Sequence, residues 1–160
     1  MATNFALDIS NFVAHANQNI ERLIRKTVFE LWHKIDYASP VGDADYWKGR
    51  QRPDGTWTGV NPPPGYVGGR FRANWQYGNG TAPNGEIENP DPRGSATRSR
   101  IKSQIDSSPA FAVHYLVNNL PYAEAIENGH SWHQAPHGVV AVSIAEFPAL
   151  VGRVAREVNT

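Results

Sequence analysis

The chain has 160 residues, a formal net charge of zero from 15 basic and 15 acidic side chains, and no cysteine. This length suits one domain with a real core, while the missing cysteines exclude disulfides, thiolate metal ligands and cysteine nucleophiles. The balanced charge argues against a dedicated nucleic-acid-binding protein. No apolar run approaches a membrane span and no signal peptide is evident, so we expect a chain that works in soluble form.

The first predicted element is a long helix over residues 8–37. Apolar residues recur every three or four positions, the spacing of one buried helix face. They are Val13, Ala16, Ile20, Leu23, Ile24, Val28, Leu31 and Ile35. Asp8 or Ser10 can cap the start, and Ser39-Pro40 ends the helix because the residue before proline avoids helical backbone. A rod of about 45 Å either spans the domain or offers part of its length to a neighbour.

Residues 42–68 form a segment of different composition, with six glycines and four prolines. The turn signal Pro53-Asp54-Gly55 predicts a small protruding hairpin that carries Tyr46, Trp47 and Trp57. A long surface loop without regular structure is an equally good interpretation, because loops of this length are usually disordered or functional.

Strands and short helices are predicted over residues 70–158. Strict alternation over 70–77 predicts a half-buried strand, and a second strand follows at 110–119. The residues on one face of these strands are Phe71, Ala73, Trp75 and Tyr77, then Phe111, Val113, Tyr115 and Val117. A helix that begins at Gly94, with Ser95 as its cap, separates the two strands.

The C-terminal part predicts a short helix, a strand and a last helix. The short helix over 120–129 ends at Gly129, which favours left-handed backbone. Residues 139–144 are predicted as a strand, and the last helix starts near Ala145 because Pro148 is tolerated only in a first turn or at a kink. The predicted fold class is α+β: a long N-terminal helix packed on a small, mainly antiparallel sheet, with two or three shorter helices and long loops.

A histidine cluster is the first candidate for chemistry. His130, His133 and His137 fall within eleven residues. Three histidines suit catalytic zinc, and Glu124 or Glu127 could add a carboxylate for a metal-dependent hydrolase. Pro136, however, forbids a regular helix through this spacing, so solvated or packed histidines on a connector are the preferred interpretation. The sequence predicts no catalytic, cofactor-binding or metal site.

The densest positive cluster lies at the helix that follows Gly94. It consists of Arg93, Arg98, Arg100 and Lys102. One interpretation is that these side chains contact DNA, as in a nucleic-acid-binding module. The other is that they contact acidic groups of a partner, and the neutral net charge slightly favours this second interpretation.

Two stretches together carry a family resemblance. One is Ser39-Pro40-Val41 followed, after the glycine-rich segment, by "GRFRANWQ"; the other is "NNLPYAEAIENGHSWHQAPHGVVAVSIAEF". The pattern resembles the tail-completion, or neck, proteins of long-tailed bacteriophages, and it covers most of the chain. The matching positions include Gly69, Arg70, Phe71, Arg72, Trp75, Asn118, Asn119, Pro121, Tyr122, Ala123, Glu127, Gly129, Ser131, Gln134, Ala135, Pro136 and Gly138.

The resemblance implies a structural virion protein rather than an enzyme. Such a subunit would form a ring, most plausibly a hexamer, between the head connector or stopper protein and the tail-terminator or tail-tube protein. Genomic DNA would pass through its lumen. The resemblance makes 1–160 one tail-completion-like domain, located at the head–tail junction of the virion after assembly in the bacterial cytoplasm. The matching positions from Arg70 to Gly138 would then serve assembly.

The chain departs from the family pattern in one place. Family members often run from Ser-Pro-Val through Asp-Thr-Gly directly into the arginine-containing strand, whereas this sequence inserts residues 42–68, with Asp43 as the only echo. The role of this insertion does not follow from the resemblance. The three histidines occupy variable positions of the pattern, which weighs further against a metal site.

Overall fold

The computed structural model describes residues 2–43, 50–51, 53–55, 57–58, 64–131 and 133–158. Within these ranges the chain forms six helices and four strands. The elements are α1 (Ala2–Ala38), β1 (Arg50–Gln51), β2 (Trp57–Thr58), α2 (Arg70–Ala73), β3 (Trp75–Asn79), α3 (Ser95–Ser107), β4 (His114–Asn118), α4 (Ala123–Glu127), α5 (Val140–Ala145) and α6 (Phe147–Val158). The architecture is α+β, as the sequence predicts.

The long helix α1 organises the fold through its C-terminal half. Trp32 and Ile35 are buried there in the main hydrophobic core. Helix α6 runs antiparallel along this half, since Lys26 pairs with Glu157 at one end and Lys34 pairs with Glu146 at the other. The helix starts before the predicted Asp8 and needs no cap there. No helix in the described ranges is long and apolar enough to cross a membrane.

The central sheet is the antiparallel pair β3–β4. Its register places Trp75 opposite Asn118 and Asn79 opposite His114. Trp75 and Tyr77 alternate inward from β3, and α3 adds Ile101 and Ile105 to the same core. The small sheet and the packed half of α1 thus share one apolar interior.

The predicted strand over 70–77 is wrong in its first half. Residues 70–73 form the single helical turn α2, which starts from left-handed backbone at Gly69 (φ 96°), and the Ala73 N–H donates to the Gly69 carbonyl at 2.9 Å. The alternating pattern is misleading here because Phe71 and Ala73 are buried in the helical turn, as they would also be on one face of a strand. The strand prediction is right from Trp75 onward.

The predicted strand over 139–144 is also wrong. These residues form α5, and Glu146 separates it from α6, where Pro148 takes the second position. Proline is tolerated in the first turn of a helix, so the predicted start near Ala145 is confirmed. A run of six residues is too short to show helical periodicity, and the Glu127 carboxylate that caps α5 is distant in sequence.

Two local predictions need smaller corrections. Strand β4 begins only at His114, and Phe111 and Val113 are exposed instead of lining a buried face. Helix α3 has Gly94 as its N-cap residue, and the capping acceptor is the carboxylate of Asp91, which accepts from the Thr97 N–H at 2.8 Å. Asp91, three residues before the N-cap residue, therefore supplies the capping interaction that the sequence assigns to Ser95.

The 42–68 segment contains the predicted hairpin. Strands β1 and β2 pair antiparallel, with Arg50 opposite Thr58, on either side of the turn at residues 53–55. Tyr46, Trp47 and the side chain of Trp57 lie outside the described residues, so the hairpin's aromatic character stays a prediction.

Candidate assembly interface

The first motif is held to the end of α1 by one arginine. Arg72 donates from Nε to the Asp36 carbonyl at 3.2 Å, from Nη2 to the Ser39 carbonyl at 3.2 Å, and from Nη1 to the Pro92 carbonyl at 2.9 Å. The five donors of a guanidinium in a rigid fork suit such multiple contacts. Arg72 therefore fixes α2, the end of α1 and the loop before α3 relative to one another.

A tryptophan and a serine complete this joint. The Trp75 indole N–H donates to Ser39 Oγ at 2.8 Å, and the Ser39 hydroxyl donates to the Ile35 carbonyl at 2.7 Å. Both residues are buried. Ser39 thus links its own helix to the residue that opens β3, which explains structurally why the two halves of the first motif occur together despite the intervening segment.

The carboxylate of Asp36 sits in the middle of this joint. It is almost completely buried, 3.5 Å from Arg72 Nε and 4.0 Å from Arg98 Nη2. Burial raises the pKa of Asp36 above its ordinary value of 3.8, although Arg72, Arg98 and His33 act in the opposite direction. A buried carboxylate without full compensation costs stability and is retained here as a partner for two arginines.

The second motif is attached to the first by side-chain amides. Asn118 Nδ2 donates to the Phe71 carbonyl at 2.9 Å, and Gln134 Oε1 accepts from the Val41 N–H at 2.9 Å. Asn119 Nδ2 donates to the carbonyls of Pro83 and Gly85, each at 3.1 Å. Residues far apart in sequence are therefore assembled into one structural unit.

The histidine-rich turn between α4 and α5 (residues 128–131 and 133–138), which we call the connector, is shaped by Glu127. Its carboxylate accepts from the N–H groups of Val139, Val140 and Ala141 at 2.7–2.9 Å, which satisfies the free donors at the start of α5. Desolvation acts to raise the pKa of Glu127, but these donors outweigh it and hold the pKa below the ordinary 4.5. Glu127, the first residue of the Glu-x-Gly unit, thus caps a helix across the turn.

Two glycines of the connector have no room for a side chain. At Gly138 (φ 76°) a Cβ would lie 2.8 Å from the Glu127 carboxylate and closer still to the Glu127 carbonyl oxygen. At Gly129 (φ 84°) it would lie 2.6 Å from the Pro136 carbonyl oxygen. Between them, Ala135 is buried and its N–H donates to the Ser131 carbonyl at 2.7 Å. The connector is a stiff turn.

The two motifs face each other across an apolar groove of about 680 Å³. Its walls come from the segment after α1, from α2, from α4 and from the start of the connector. The lining residues from the two motif stretches are Pro40, Val41, Arg70, Phe71, Tyr122, Ala125, Ile126, His130 and Ser131. Gly42, Tyr66 and Val67 of the 42–68 segment also line the groove. The Phe71 and Tyr122 rings lie 6.4 Å apart, and partial burial raises the pKa of Tyr122.

The rim of this groove is polar. Arg70 pairs with Glu86 at 2.8 Å, and Glu88 and His130 also border the opening. An apolar floor with a polar rim is the usual anatomy of a protein–protein contact. We therefore treat this groove as the candidate assembly site.

The residues predicted for assembly divide into two groups by exposure. Six are exposed and can touch a partner directly: Arg70, Asn119, Pro121, Tyr122, Gln134 and Pro136. The other eight are buried or partly buried and shape the surface from behind: Phe71, Arg72, Trp75, Asn118, Glu127, Gly129, Ala135 and Gly138. Most of the motif is therefore scaffold, and the smaller exposed group defines the surface.

The predicted basic cluster does not form a single positive surface. Arg100 turns inward and donates to the carbonyls of Ala73 and Trp75 at 3.1 and 3.0 Å. Lys102 pairs with Asp106 at 2.6 Å, and Arg98 lies near Asp36. Arg93 is exposed. Three of the four cations thus have partners within the chain, which favours a structural role over DNA binding.

The three histidines do not converge. His130 borders the groove, whereas His133 and His137 are exposed on the turn. Across the described ranges, no three His, Cys, Asp or Glu side chains come together in an arrangement that could hold a metal ion. The geometry of the described histidines therefore gives the hydrolase hypothesis no support.

Three residues with structural roles escaped the sequence analysis. Asp36 lies in the core, Asp91 caps α3, and Asn74 is fully buried. Asn74 Nδ2 donates to the Ile87 carbonyl at 2.8 Å while Oδ1 accepts from the Ile87 N–H at 2.7 Å. The only signal of Asp36 and Asn74 is a polar residue beside apolar ones, and Asp91 lies in a polar loop; none of these signals names the partner.

No protein-family model matches the chain, and no curated protein or solved structure matches it either. Any functional assignment therefore depends on the residues and their geometry.

Proposed function

We propose that this chain is a structural virion protein of the bacteriophage neck. In this proposal it assembles into a homo-oligomeric ring, a hexamer by the family resemblance, which joins the head connector or stopper protein to the tail-terminator or tail-tube protein. Genomic DNA passes through the lumen of the ring. The ring sits at the head–tail junction, and the subunit acts by binding rather than by catalysis.

One observation carries the proposal. The two motifs that resemble the neck family are far apart in sequence, yet direct hydrogen bonds join Asn118 to Phe71 and Gln134 to Val41, and Trp75 to Ser39 within the first motif. Separate motifs that arose by chance would have no reason to close on one another. Their convergence around a groove supports the view that they are a single functional unit.

The charge distribution is compatible with a DNA conduit. The net charge is zero, and Arg98, Arg100 and Lys102 are engaged by groups of the same chain. A channel with many free cations would bind phosphates tightly and slow the passage of DNA. A subunit in which three of the four cations of the basic cluster are engaged by groups of the same chain avoids much of this effect.

Electron microscopy of purified particles with gold-labelled antibody against this chain tests the proposal. We expect label at the head–tail junction and, after averaging, a closed ring. Detection of the chain in infected-cell lysate but not in purified particles would exclude the proposal.

Paired substitutions add a functional readout. Tyr122→Ala removes an exposed aromatic side chain from the groove, and Tyr37→Ala removes one outside it. Because aromatic anchors in apolar grooves contribute most to interfaces, we expect Tyr122→Ala to lower the yield of joined particles at least about tenfold. Tyr37→Ala should leave the yield unchanged.

A further inference from the structure

The N-terminal half of α1, which we call the arm (residues 4–20), extends beyond the elements that pack on α1. Two contacts mark where those elements stop. Arg25 Nη2 donates to the Ser108 carbonyl at 3.1 Å, just past the end of α3, and Lys26 pairs with Glu157 at 2.5 Å in the last turn of α6. At the helical rise of 1.5 Å per residue, the arm is a projection of about 25 Å.

Large apolar side chains are exposed along the arm. Six of them are between 44 and 73% exposed: Phe5, Leu7, Ile9, Phe12, Val13 and Ile20. The positions 5, 9, 12, 16 and 20 are apolar and follow helical spacing, so most of this surface forms one stripe. A contiguous exposed apolar stripe of this kind marks a binding surface.

The sequence of the arm does not favour an isolated helix. It contains four asparagines (Asn4, Asn11, Asn17 and Asn19), several β-branched residues, and Asp8 as its only charged side chain. Asparagine and β-branched residues are poor helix formers, and no oppositely charged pairs support the exposed turns. Helices of such composition depend on packing of an apolar face, so the arm needs a partner surface.

The lack of charge identifies the kind of partner. A helix that binds a membrane surface or nucleic acid carries lysine or arginine on its polar face, and the arm has neither. Two identical arms, by contrast, carry one charged side chain each, Asp8, so little like-charge repulsion opposes their approach. The zero net charge of the whole chain adds no long-range repulsion between copies.

The area is sufficient for pairing of two copies. The large side chains on or beside the stripe (Phe5, Ile9, Phe12, Val13 and Ile20) present roughly 500 Å² of apolar surface per arm, since a buried aromatic contributes about 150–250 Å² and Leu7 lies on the opposite side of the helix. Pairing would therefore bury about 1,000 Å² in total, the size that a specific interface has to reach.

We propose that the arm of one copy packs along the arm of a second copy of this chain. The self-contact is argued from the arm alone, whereas its place in a ring rests on the proposed function. Arms packed side by side would join neighbouring subunits through a dry helical seam and leave the groove free for a different protein of the neck.

Sedimentation velocity over a range of protein concentrations tests this contact. The variant Phe5→Ser/Phe12→Ser removes two aromatic side chains from the stripe, and Phe111→Ser is the matched control, since Phe111 is 62% exposed outside the arm. We expect the unmodified chain and the control to associate alike, and the arm variant to need at least about a hundredfold higher concentration. Urea midpoints measured at the lowest concentration should agree among the three, which shows that the arm variant folds.

Cysteine cross-linking locates the contact, because the chain has no cysteine of its own. Under mild oxidation, the set Phe5→Cys, Ile9→Cys, Phe12→Cys and Ala16→Cys should include variants that form disulfide-linked pairs of copies. Phe111→Cys should not.

Several results would overturn the proposal. They are a monomeric unmodified chain at all concentrations, an arm variant that associates like the unmodified chain, and arm-dependent binding to anionic vesicles instead of self-association. High salt should not dissolve the association, and loss of it at high salt would point to a charged interface elsewhere. If the chain associates through its arm but is absent from purified particles, only the proposed function is wrong. If the arm variant still forms a neck ring, only this inference is wrong.

Discussion

The two halves of α1 have the same apolar spacing and opposite surroundings. In residues 21–38 the pattern is interrupted by seven charged side chains, and Trp32 and Ile35 are buried in one core with residues of the sheet and α3. In residues 4–20 there is one charged side chain, and the apolar residues Phe5 and Phe12 are 68 and 73% exposed. Helical periodicity therefore indicates which face of the helix is apolar. The charged side chains on the other faces indicate whether those faces contact water or protein.

This difference separates two uses of apolar surface in one helix. The charged half makes ion pairs with α6, such as Lys26–Glu157 and Arg153–Glu30, and these fix the antiparallel register of the packed helices. The other half, whose one charged side chain is Asp8, has no such pairs within its stripe and is suited to a partner that carries equally little charge. Three experiments with five substitutions test the contrast between packed and exposed parts of the molecule.

The largest effect is expected from Trp32→Ala. Trp32 is fully buried, and removal of a large core aromatic costs about 3–5 kcal/mol of unfolding free energy. Phe12→Ala in the arm should change that free energy by no more than about 0.5 kcal/mol, as for other exposed positions. Urea denaturation at a concentration where the chain is monomeric measures both. Equal losses would mean that the arm folds back onto the domain and is not a projection.

An intermediate effect is expected at the connector. Gly80→Ala and Gly138→Ala both place alanine on left-handed backbone (φ 74° and 76°), but only Gly138 has neighbours where the new methyl group would stand. Left-handed backbone alone costs about 1–2 kcal/mol, and the overlap with Glu127 should add about 1–3 kcal/mol. Thermal unfolding compares the two variants, and similar losses would refute the close approach of Gly138 to Glu127.

A smaller, pH-dependent effect is expected from Glu127→Gln. The folded state holds the pKa of Glu127 below the ordinary 4.5, so the ionised form stabilises the fold above that pH and this contribution disappears as the pH falls through the lowered pKa. At pH 7 the variant should lose about 1 kcal/mol, the usual size of a helix-cap interaction. The gap between variant and unmodified chain should close as the pH falls below about 4.5. A gap that is constant with pH would show that the carboxylate charge is not what caps α5.

Much of the fold could be predicted because it follows from local patterns. The long helix follows from apolar spacing, the short helix α4 from Gly129, and the start of α6 from Pro148, since each of these effects acts within a few residues. The two wrong strands, at 70–73 and 139–144, fail for the same reason. In both segments, contacts with residues distant in sequence stabilise helical backbone. Arg72 of α2 donates to the carbonyl groups of Asp36 and Ser39, and the Glu127 carboxylate accepts from an N–H group at the start of α5.

The candidate site was predictable in composition but not in arrangement. The motif residues are visible in the sequence, yet alternation cannot show that Asn118 and Gln134 bind the backbone of the first motif or that only a minority of the motif is exposed. Arg100 illustrates the limit, because a helical arginine that looks like a DNA contact donates to two buried carbonyl groups.

Amide hydrogen exchange along α1, followed as protein concentration rises, tests most directly whether the two halves of the helix have different partners. We predict slow exchange in residues 21–38 at every concentration, and fast exchange in residues 4–20 that becomes slow only as copies associate. Arm amides that are already protected in the monomer, or that stay unprotected in the assembled protein, would contradict the account.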